Sequence, residues 1–475
     1  MEPEFCNRFL LLGGRPWAKP RRRFYVLLDQ LEINDNGRHS LLYSAVDAEW
    51  FDREWPGETE ERTALLDRMP IFLIGLKLST RGVLGLAAPG TKQLPEIDIE
   101  TIFPPPQVGH LGAVGEDLEQ RWQEIQIATT GGGLAADLYR NLFAEAVPIR
   151  LSAISDPSPA VVALLKQTNP LLNRKDASDT EIDTALANIS GSASIDHVTM
   201  LDVGQGGANA LVTATGDVAA YFDFGGGAGP HATSFPTALT RFCFCATSGP
   251  PIILSHWDHD HWSSEGRDTR SHSKTWLVPH QTPLGLHHAA LIASILKHGT
   301  LVVWPRAGKK ASHAVGQLTL LQCSGSSRNS SGLAAIVSPP AGVAALPVLL
   351  PADAGYGDVP MAVGQTFDAI AAPHHGGHSN SPLIPAPAST FARLGYSYGA
   401  SNSYGHAFNT VRVAHDGVGW LDPKCGSLPT YVLNTEDRNP STNLGHIGFN
   451  WGVSPRPGAP TCSPGCTTEL AIQQW

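Results

Sequence analysis

Residues 255–262 read Ser-His-Trp-Asp-His-Asp-His-Trp, which puts five metal ligands or proton carriers into the six positions 256–261. In a chain that is 16% charged, with 19 His in 475 residues, that density stands far above background. It follows Pro251-Ile252-Ile253-Leu254, an apolar run that reads as a buried strand. Side chains massed where a core strand ends can converge on one point, and a divalent metal needs such convergence. The fold must therefore carry a strand end into a polar pocket, and other parts of the chain must meet it there.

Length and composition bound the rest. A chain of 475 residues exceeds one ordinary core, so two domains are expected. Hydrophobic content of 42%, with 48 Gly and 37 Pro, describes a turn-rich globular protein. No apolar run approaches the roughly 18 residues of a membrane span, and the richest, 341–350, is broken by Pro347. The opening Met-Glu-Pro-Glu-Phe-Cys-Asn-Arg lacks the basic and apolar regions of a secretory signal. Seven scattered Cys do not suggest a disulfide framework, so the expected location is cytoplasmic. A formal charge of -10 argues against a broadly basic surface that grips nucleic acid nonspecifically. A local basic groove and bound metals remain compatible with it.

The chain divides near the Ser-rich stretch 188–194, giving an N-terminal accessory α+β domain (1–190) and a C-terminal domain (195–475). In the first, 24–33 and 71–78 read as strands, and 116–129 and 134–147 carry helical spacing of apolar residues. Helices are also expected over 159–167, capped by Ser158, and over 179–189, opened by Ser178 or Asp179. Lys19, Arg21, Arg22 and Arg23 beside Trp17 and Phe24 read as a solvated charge run rather than a phosphate contact. In the second domain, strands are expected at 197–202, 209–214, 218–223, 251–254, 301–304, 318–323, 333–337, 348–350 and 369–372. Helices are expected at 237–245 and 284–297.

Five ordered blocks in this second part match a known pattern: Met200-Leu201-Asp202-Val203-Gly204-Gln205-Gly206 with Tyr221-Phe222-Asp223-Phe224-Gly225-Gly226, then Ser255-His256-x-Asp258-x-Asp260-His261, Leu350-Pro351-Ala352-Asp353-Ala354, Pro373-His374-His375-Gly376-Gly377 and Ser403-Tyr404-Gly405-His406. Together they resemble the metallo-β-lactamase-fold hydrolases, nearest to the domain found in ComEC-like DNA-uptake proteins. The resemblance implies an α/β fold of the αββα sandwich type, with the site at one edge of the sheets. It also implies two divalent metal ions, Mn or Zn, with Fe as a further option. The family's first motif is His-x-His-x-Asp-His, so His256, Asp260 and His261 correspond to ligands and His259 falls at a spacer position. Asp353 resembles the carboxylate that bridges both metals. His374 and His406 supply the remaining imidazoles, with their division between the metals left open. His375, or secondarily His378, would protonate a leaving oxygen, and Asp260 would also orient the nucleophile.

The third motif position, a His in the family, is Asp258 here. A hard carboxylate in place of an imidazole moves preference from Zn²⁺ toward Mn²⁺ or Fe and lowers the site charge by one unit. The rival reading is that one metal has been lost. The implied chemistry uses two metals about 3.5–4 Å apart and a hydroxide held between them. Gly204, Gly206 and Gly207 would allow close backbone approach. Trp257 and Trp262 read as walls of the ligand loop ahead of a base-stacking platform.

Other features read as structural. His287 and His288 are consecutive in a helix and cannot face one way, so surface or core-edge positions are expected. Cys243 and Cys245 read as small buried apolar residues, and Cys462 and Cys466, with Cys425, do not complete a zinc site. The polar stretch 329–331 is a weak substrate-contact candidate. The leading function is a phosphodiesterase or nuclease acting on DNA or RNA; DNA transport is excluded for a chain without a membrane span. The alternatives are hydrolysis of a small molecule (a cyclic nucleotide, lactone or lactam) and a metal-binding interaction module without turnover. In the last reading the N-terminal domain recruits a protein partner; otherwise its role is open between covering the site edge, binding a partner and dimerisation.

Overall fold

The computed structural model describes residues 21–33, 39–55, 65–66, 68–78, 92–93, 119, 121–190, 194–244, 249–377, 383–389, 392–400, 402–420 and 431–451. The chain forms two compact units, Met1–Arg174 with Thr282–Ser294, and Lys175–Gln281 with Ile295–Trp475. The segment 282–294, which opens the helix Leu286–His298, thus belongs with the N-terminal unit.

In the first unit, β1 (Arg22–Ile33), β2 (His39–Asp47), β3 (Ile71–Leu78), β4 (Lys92–Gln93), β5 (Gln123–Ala128), β6 (Leu134–Tyr139) and β7 (Val147–Ser155) pair in the order β4-β7-β5-β1-β2-β3-β6. All these pairings are antiparallel, and β6 also pairs with β7. That last pairing closes six strands into a barrel and leaves β4 as an appendage on β7. Alternation along β1 shows the two faces. Phe24, Val26 and Leu28 pack with Tyr43, Ile74, Ile127, Leu138 and Leu151 in one apolar cluster. Tyr25 and Leu27 join Trp50 and Phe51 of the helix Ala48–Glu54, Leu165 of the helix Pro159–Lys166, and Leu286 in another. Arg22 pairs with Asp47, and Arg23 with Asp52 and Glu124, so these two basic side chains fold back onto carboxylates of the same unit.

Two helical expectations fail here. Within 116–129 and 134–147 the structure has β5 and β6. Leu134 and Leu138 are four apart, a spacing shared by one helical turn and by two strand repeats, and Ala136 between them completes the period-2 face. Ile125 and Ile127 alternate with half-buried Glu124 and Gln126 in the same way. The Ser158 and Ser178 caps form as expected, with Ser178 and Glu181 making a reciprocal capping box. The helix expected at 179–189 is split into Asp179–Ala185 and Ala187–Ser190. Residues 191–193 of the expected boundary lie outside the described residues.

The second unit is α/β, with few helices and two mixed seven-stranded sheets. The first contains β8 (Ile195–Met200), β9 (Ala208–Thr213), β10 (Val218–Phe224), β11 (Ile252–Ile253), β12 (Thr275–Val278), β13 (Thr300–Val303) and β23 (Ile447–Asn450), in the order β13-β12-β11-β10-β9-β8-β23. The second contains β14 (Ser312–Val315), β15 (Leu318–Gln322), β16 (Leu333–Val337), β17 (Val348–Leu350), β19 (Ala369–Ala371), β21 (Arg393–Tyr396) and β22 (Tyr431–Asn434), in that order. A two-stranded ribbon, β18 (Thr366–Phe367) with β20 (Ala386–Pro387), lies apart from them. Each large sheet is antiparallel over one half and parallel over the other. The parallel strands are β10 to β13 in the first and β17, β19, β21 and β22 in the second.

The two sheets share one core. Met200, Leu211, Phe222, Ile253 and Leu277 of the first pack with Leu320, Ala335, Val337, Leu350 and Ala371 of the second. The other face of the second sheet buries Ala334, Ile336, Leu349, Ile370 and Tyr396, with Val411 of the helix Asn409–Gly417 and Trp420 beyond its end against it. β16 and β17 are buried along their whole length, which is why they read as continuous apolar runs, while β9 and β10, equally buried, carry Asn209, Thr213 and Asp223. The helix expected at 237–245 does not form over 237–244, and Cys245 lies outside the described residues. Cys243 N–H donates to the Tyr221 hydroxyl at 2.9 Å, that hydroxyl donates to the Cys243 carbonyl at 3.0 Å, and Phe242 N–H reaches Asp268 at 3.1 Å. These bonds to other parts of the chain take the place of a helical ladder.

Candidate metal centre

Parallel strands stop at one polar cluster. The loop after β11 carries His256 to His261, the loop after β17 carries Asp353, the loop after β19 carries His374 and His375, and the segment after β21 carries Ser397 and then His406. A parallel strand cannot turn straight back, so its C-terminal end opens into a longer connection where polar residues can gather. The backbone there is specialised. Asp223, Ala352, His374 and His375 all have positive φ, between 52° and 64°. Such conformations cost roughly 1 kcal/mol or more each for non-glycine residues and cluster at functional sites. Glycines let the loops close: Gly207 N–H and Gly226 N–H both donate to the Asp260 carbonyl, at 3.0 and 3.1 Å. A Cβ at Gly206 or Gly225 would collide with that same carbonyl.

Asp353 stands at the centre. Its Oδ2 lies 3.6 Å from His256 Nε2 and 3.7 Å from His374 Nε2. Its Oδ1 lies 2.9 Å from His261 Nε2 and 3.5 Å from His375 Nε2. Asp258 Oδ2 is 3.8 Å from His256 Nε2, and Asp260 Oδ2 is 3.3 Å from His375 Nε2. One carboxylate therefore faces two half-sites, His256 with Asp258 and His374 on one side and His261 with Asp260 and His375 on the other. His406 lies beside both histidines of the pair, with ring centroids 5.8 Å from His374 and 6.2 Å from His375.

The donors are held from behind. Asp223 accepts from His261 Nδ1 at 2.8 Å and from the Ser255 backbone and hydroxyl at 2.7 and 2.9 Å. A carboxylate on the far nitrogen fixes the imidazole so that Nε2 faces the cluster. Ser397 Oγ sits 2.9 Å from His375 Nδ1, and the Gln205 amide 3.3 Å from His406 Nδ1. The Gln205 loop is anchored by Asp202, which pairs with Arg438 at 2.7 Å and accepts from Gly204 N–H at 3.2 Å.

The electrostatics suit cation binding. Burial pushes His256 and His406 well below the ordinary imidazole value, into the neutral form that ligates. Burial would also lower His261, but the Asp353 and Asp223 carboxylates outweigh it and raise it. Burial would raise Asp353, yet His261, His375, His374 and His256 hold it well below the usual carboxylate range. Asp260 is lowered against burial by its hydrogen bond to His375 and the charge of His261. His256 Nε2, His406 Nε2 and both Asp353 oxygens are buried without a hydrogen bond. Orphaned buried donors and acceptors aimed at one point are costly unless something binds between them. His256, His261 and Asp353 form one group that could hold a metal ion, and Asp260, His261 and His375 another. A set of imidazoles and carboxylates fits a divalent metal.

All seven expected ligands, His256, Asp258, Asp260, His261, Asp353, His374 and His406, thus meet at this cluster together with His375. His375, expected as a proton donor, stands with Asp260 and His261 in a group that could hold a metal ion. His259 is buried against the Trp262 ring, 5.1 Å between centroids. Trp257 and Trp262 are fully buried, and their indole N–H groups donate to the carbonyls of Pro279 and Trp257. They are walls, with no face free for stacking. His288, expected at the surface or core edge, is fully buried 3.7 Å from Asp29. Sequence alone does not single out Asp223, Ser397, Gln205 or Arg328 as site residues, although Asp223 and Gln205 sit inside the five motif blocks. His378, Cys425, Cys462 and Cys466 lie outside the described residues. A scan against protein-family models matches none, and a search of curated proteins finds no match.

Proposed function

We propose that this chain is a metal-dependent hydrolase of the metallo-β-lactamase-fold superfamily, nearest its ComEC-like branch, acting as a phosphodiesterase or nuclease on DNA or RNA. The observation that carries the reading is the buried Asp353 carboxylate with His256 and His374 near one oxygen and His261 and His375 near the other. Two sheets around one core, with ligand loops at the ends of parallel strands, support the αββα sandwich assignment. In this reading His256, Asp258 and His374 would hold one divalent ion, Asp260, His261 and His375 would hold a second, and Asp353 faces both sets. When bound, the metals supply a nucleophile at neutral pH and offset negative charge that develops on a phosphoryl group.

The chain's own residues do the rest. Asp223 and Ser397 orient His261 and His375 through their outer nitrogens, so neither ring reorganises during turnover. His406, neutral and with Nε2 buried at the edge of the cluster, would add a further imidazole ligand there. Trp257 and Trp262 seal the ligand loop against water. Among the described residues no helix is long and apolar enough to cross a membrane, which suits the cytoplasmic location proposed here. The N-terminal unit is proposed to engage a protein partner.

Incubation of the purified, metal-loaded chain with end-labelled single- and double-stranded DNA and RNA tests the proposal. Cleavage should appear with wild type and vanish in Asp260→Ala and Asp353→Ala. Metal binding without cleavage of any of these, but with turnover of a cyclic nucleotide, lactone or lactam, would transfer the reading to a small-molecule hydrolase.

A further inference from the structure

The residue that departs from the expected ligand pattern has a buried partner of opposite charge. Arg328 lies on the connection between β15 and β16, and its Nη1 is 3.4 Å from Asp258 Oδ1. Both side chains are almost wholly buried, 5% and 3% exposed. The connection is built to hold the arginine there. Gln281 Nε2 donates to the Arg328 carbonyl at 2.7 Å and to Ser331 Oγ at 3.0 Å, while the Ser327 and Ser330 hydroxyls meet at 2.7 Å in the same turn. Asp258 is thereby divided: Oδ1 faces the guanidinium, and Oδ2 faces His256 across 3.8 Å.

We propose that Arg328 is the positioning and charge-balancing partner of Asp258, so that the Asp258–Arg328 pair replaces, in net charge, one neutral imidazole ligand. This rests on the metal-centre reading above and deepens it. A carboxylate alone would make the centre one unit more negative than a histidine in the same place, and a guanidinium in contact restores that unit. The pair also keeps Oδ2, rather than both oxygens, toward the half-site. A buried arginine beside divalent cations is unfavourable by itself and is tolerable because Asp258 neutralises it. Cation affinity, and not only folding, should therefore respond to the sign of each substitution.

The test is a double-mutant cycle on the full chain, read as Mn²⁺ stoichiometry and Kd by titration calorimetry and as melting temperature with and without Mn²⁺. Asp258→His removes the carboxylate that offsets the Arg328 charge beside the cluster and should weaken Mn²⁺ binding at least tenfold. Adding Arg328→Gln to it should recover most of that loss. Arg328→Gln alone should bind Mn²⁺ at least as tightly as wild type, with a lower melting temperature in the metal-free form. Arg328→Lys should behave as wild type. A purely structural arginine predicts the opposite pattern: Arg328→Gln weakens binding, and the double variant is worse than either single. That pattern, in a wild type that binds metal, overturns the pairing and leaves the metal centre standing. A wild type that binds no Mn²⁺ or Zn²⁺ overturns both.

Discussion

In the N-terminal barrel every strand runs antiparallel to its neighbours, and the β6–β7 pairing leaves the long strands without an open edge. In the second unit each sheet is antiparallel for half its width and parallel for the rest. Both units bury extended apolar cores, yet the Asp353-centred cluster belongs to the second. The difference lies in how one strand is joined to the next. An antiparallel strand can turn back through a tight hairpin, whereas each parallel strand ends in a connection long enough to carry side chains into a shared pocket. Four such ends, after β11, β17, β19 and β21, supply the cluster. The barrel is a scaffold closed on itself, and the mixed sheets gather polar side chains at the ends of their parallel strands.

The strongest way to break this contrast is at the residue both half-sites share. Asp353→Ala should abolish metal retention and reduce hydrolysis to background while the melting curve persists, measured by elemental analysis and turnover. Retained metal would place the centre elsewhere. Next comes the barrel interior. Leu28→Ala removes a fully buried side chain and should cost about 2–5 kcal/mol in denaturant unfolding. Metal content per folded molecule should not change, and a parallel loss of metal would contradict the division of labour.

A third prediction concerns pH. His415 is pushed by burial from 6.5 to about 4, with Nδ1–H donating to the Val411 carbonyl and Nε2 accepting from the Tyr356 hydroxyl. The unfolded chain binds the proton first, so the stabilisation is complete above pH 6.5 and is lost as pH falls toward 4. It amounts to about 3 kcal/mol at full extent. Urea titrations across that range should show the slope, and His415→Gln should flatten it; an unchanged slope would assign acid sensitivity to other groups. The smallest effect should come from behind the cluster. Asp223→Ala frees His261 Nδ1 and should weaken metal binding about 10–100-fold without abolishing it.

How much of this is legible in the sequence depends on distance along the chain. The candidate ligands stand out because His256, Asp258, Asp260 and His261 are crowded into one loop and because Asp353, His374 and His406 come after it in ordered blocks. The boundaries of β16 and β17 can be read because fully buried strands are uninterrupted apolar runs. β5 and β6 cannot, since a four-residue spacing such as Leu134 to Leu138 satisfies both periodicities. Barrel closure leaves no local trace, because it is a pairing between edges. The same holds for Arg328 with Asp258, 70 residues apart, and for Arg438 with Asp202, 236 apart. Asp223 lies within a motif block, but only the fold shows its carboxylate reaching His261.

If Asp353 joins two half-sites of one metal centre, metal content must show it. The chain, purified without chelator, reconstituted with Mn²⁺ or Zn²⁺ and freed of loose ions, should retain about two equivalents by elemental analysis, and Asp353→Ala should retain almost none. One equivalent in the wild type, or none, would rule out a two-ion centre shared through Asp353.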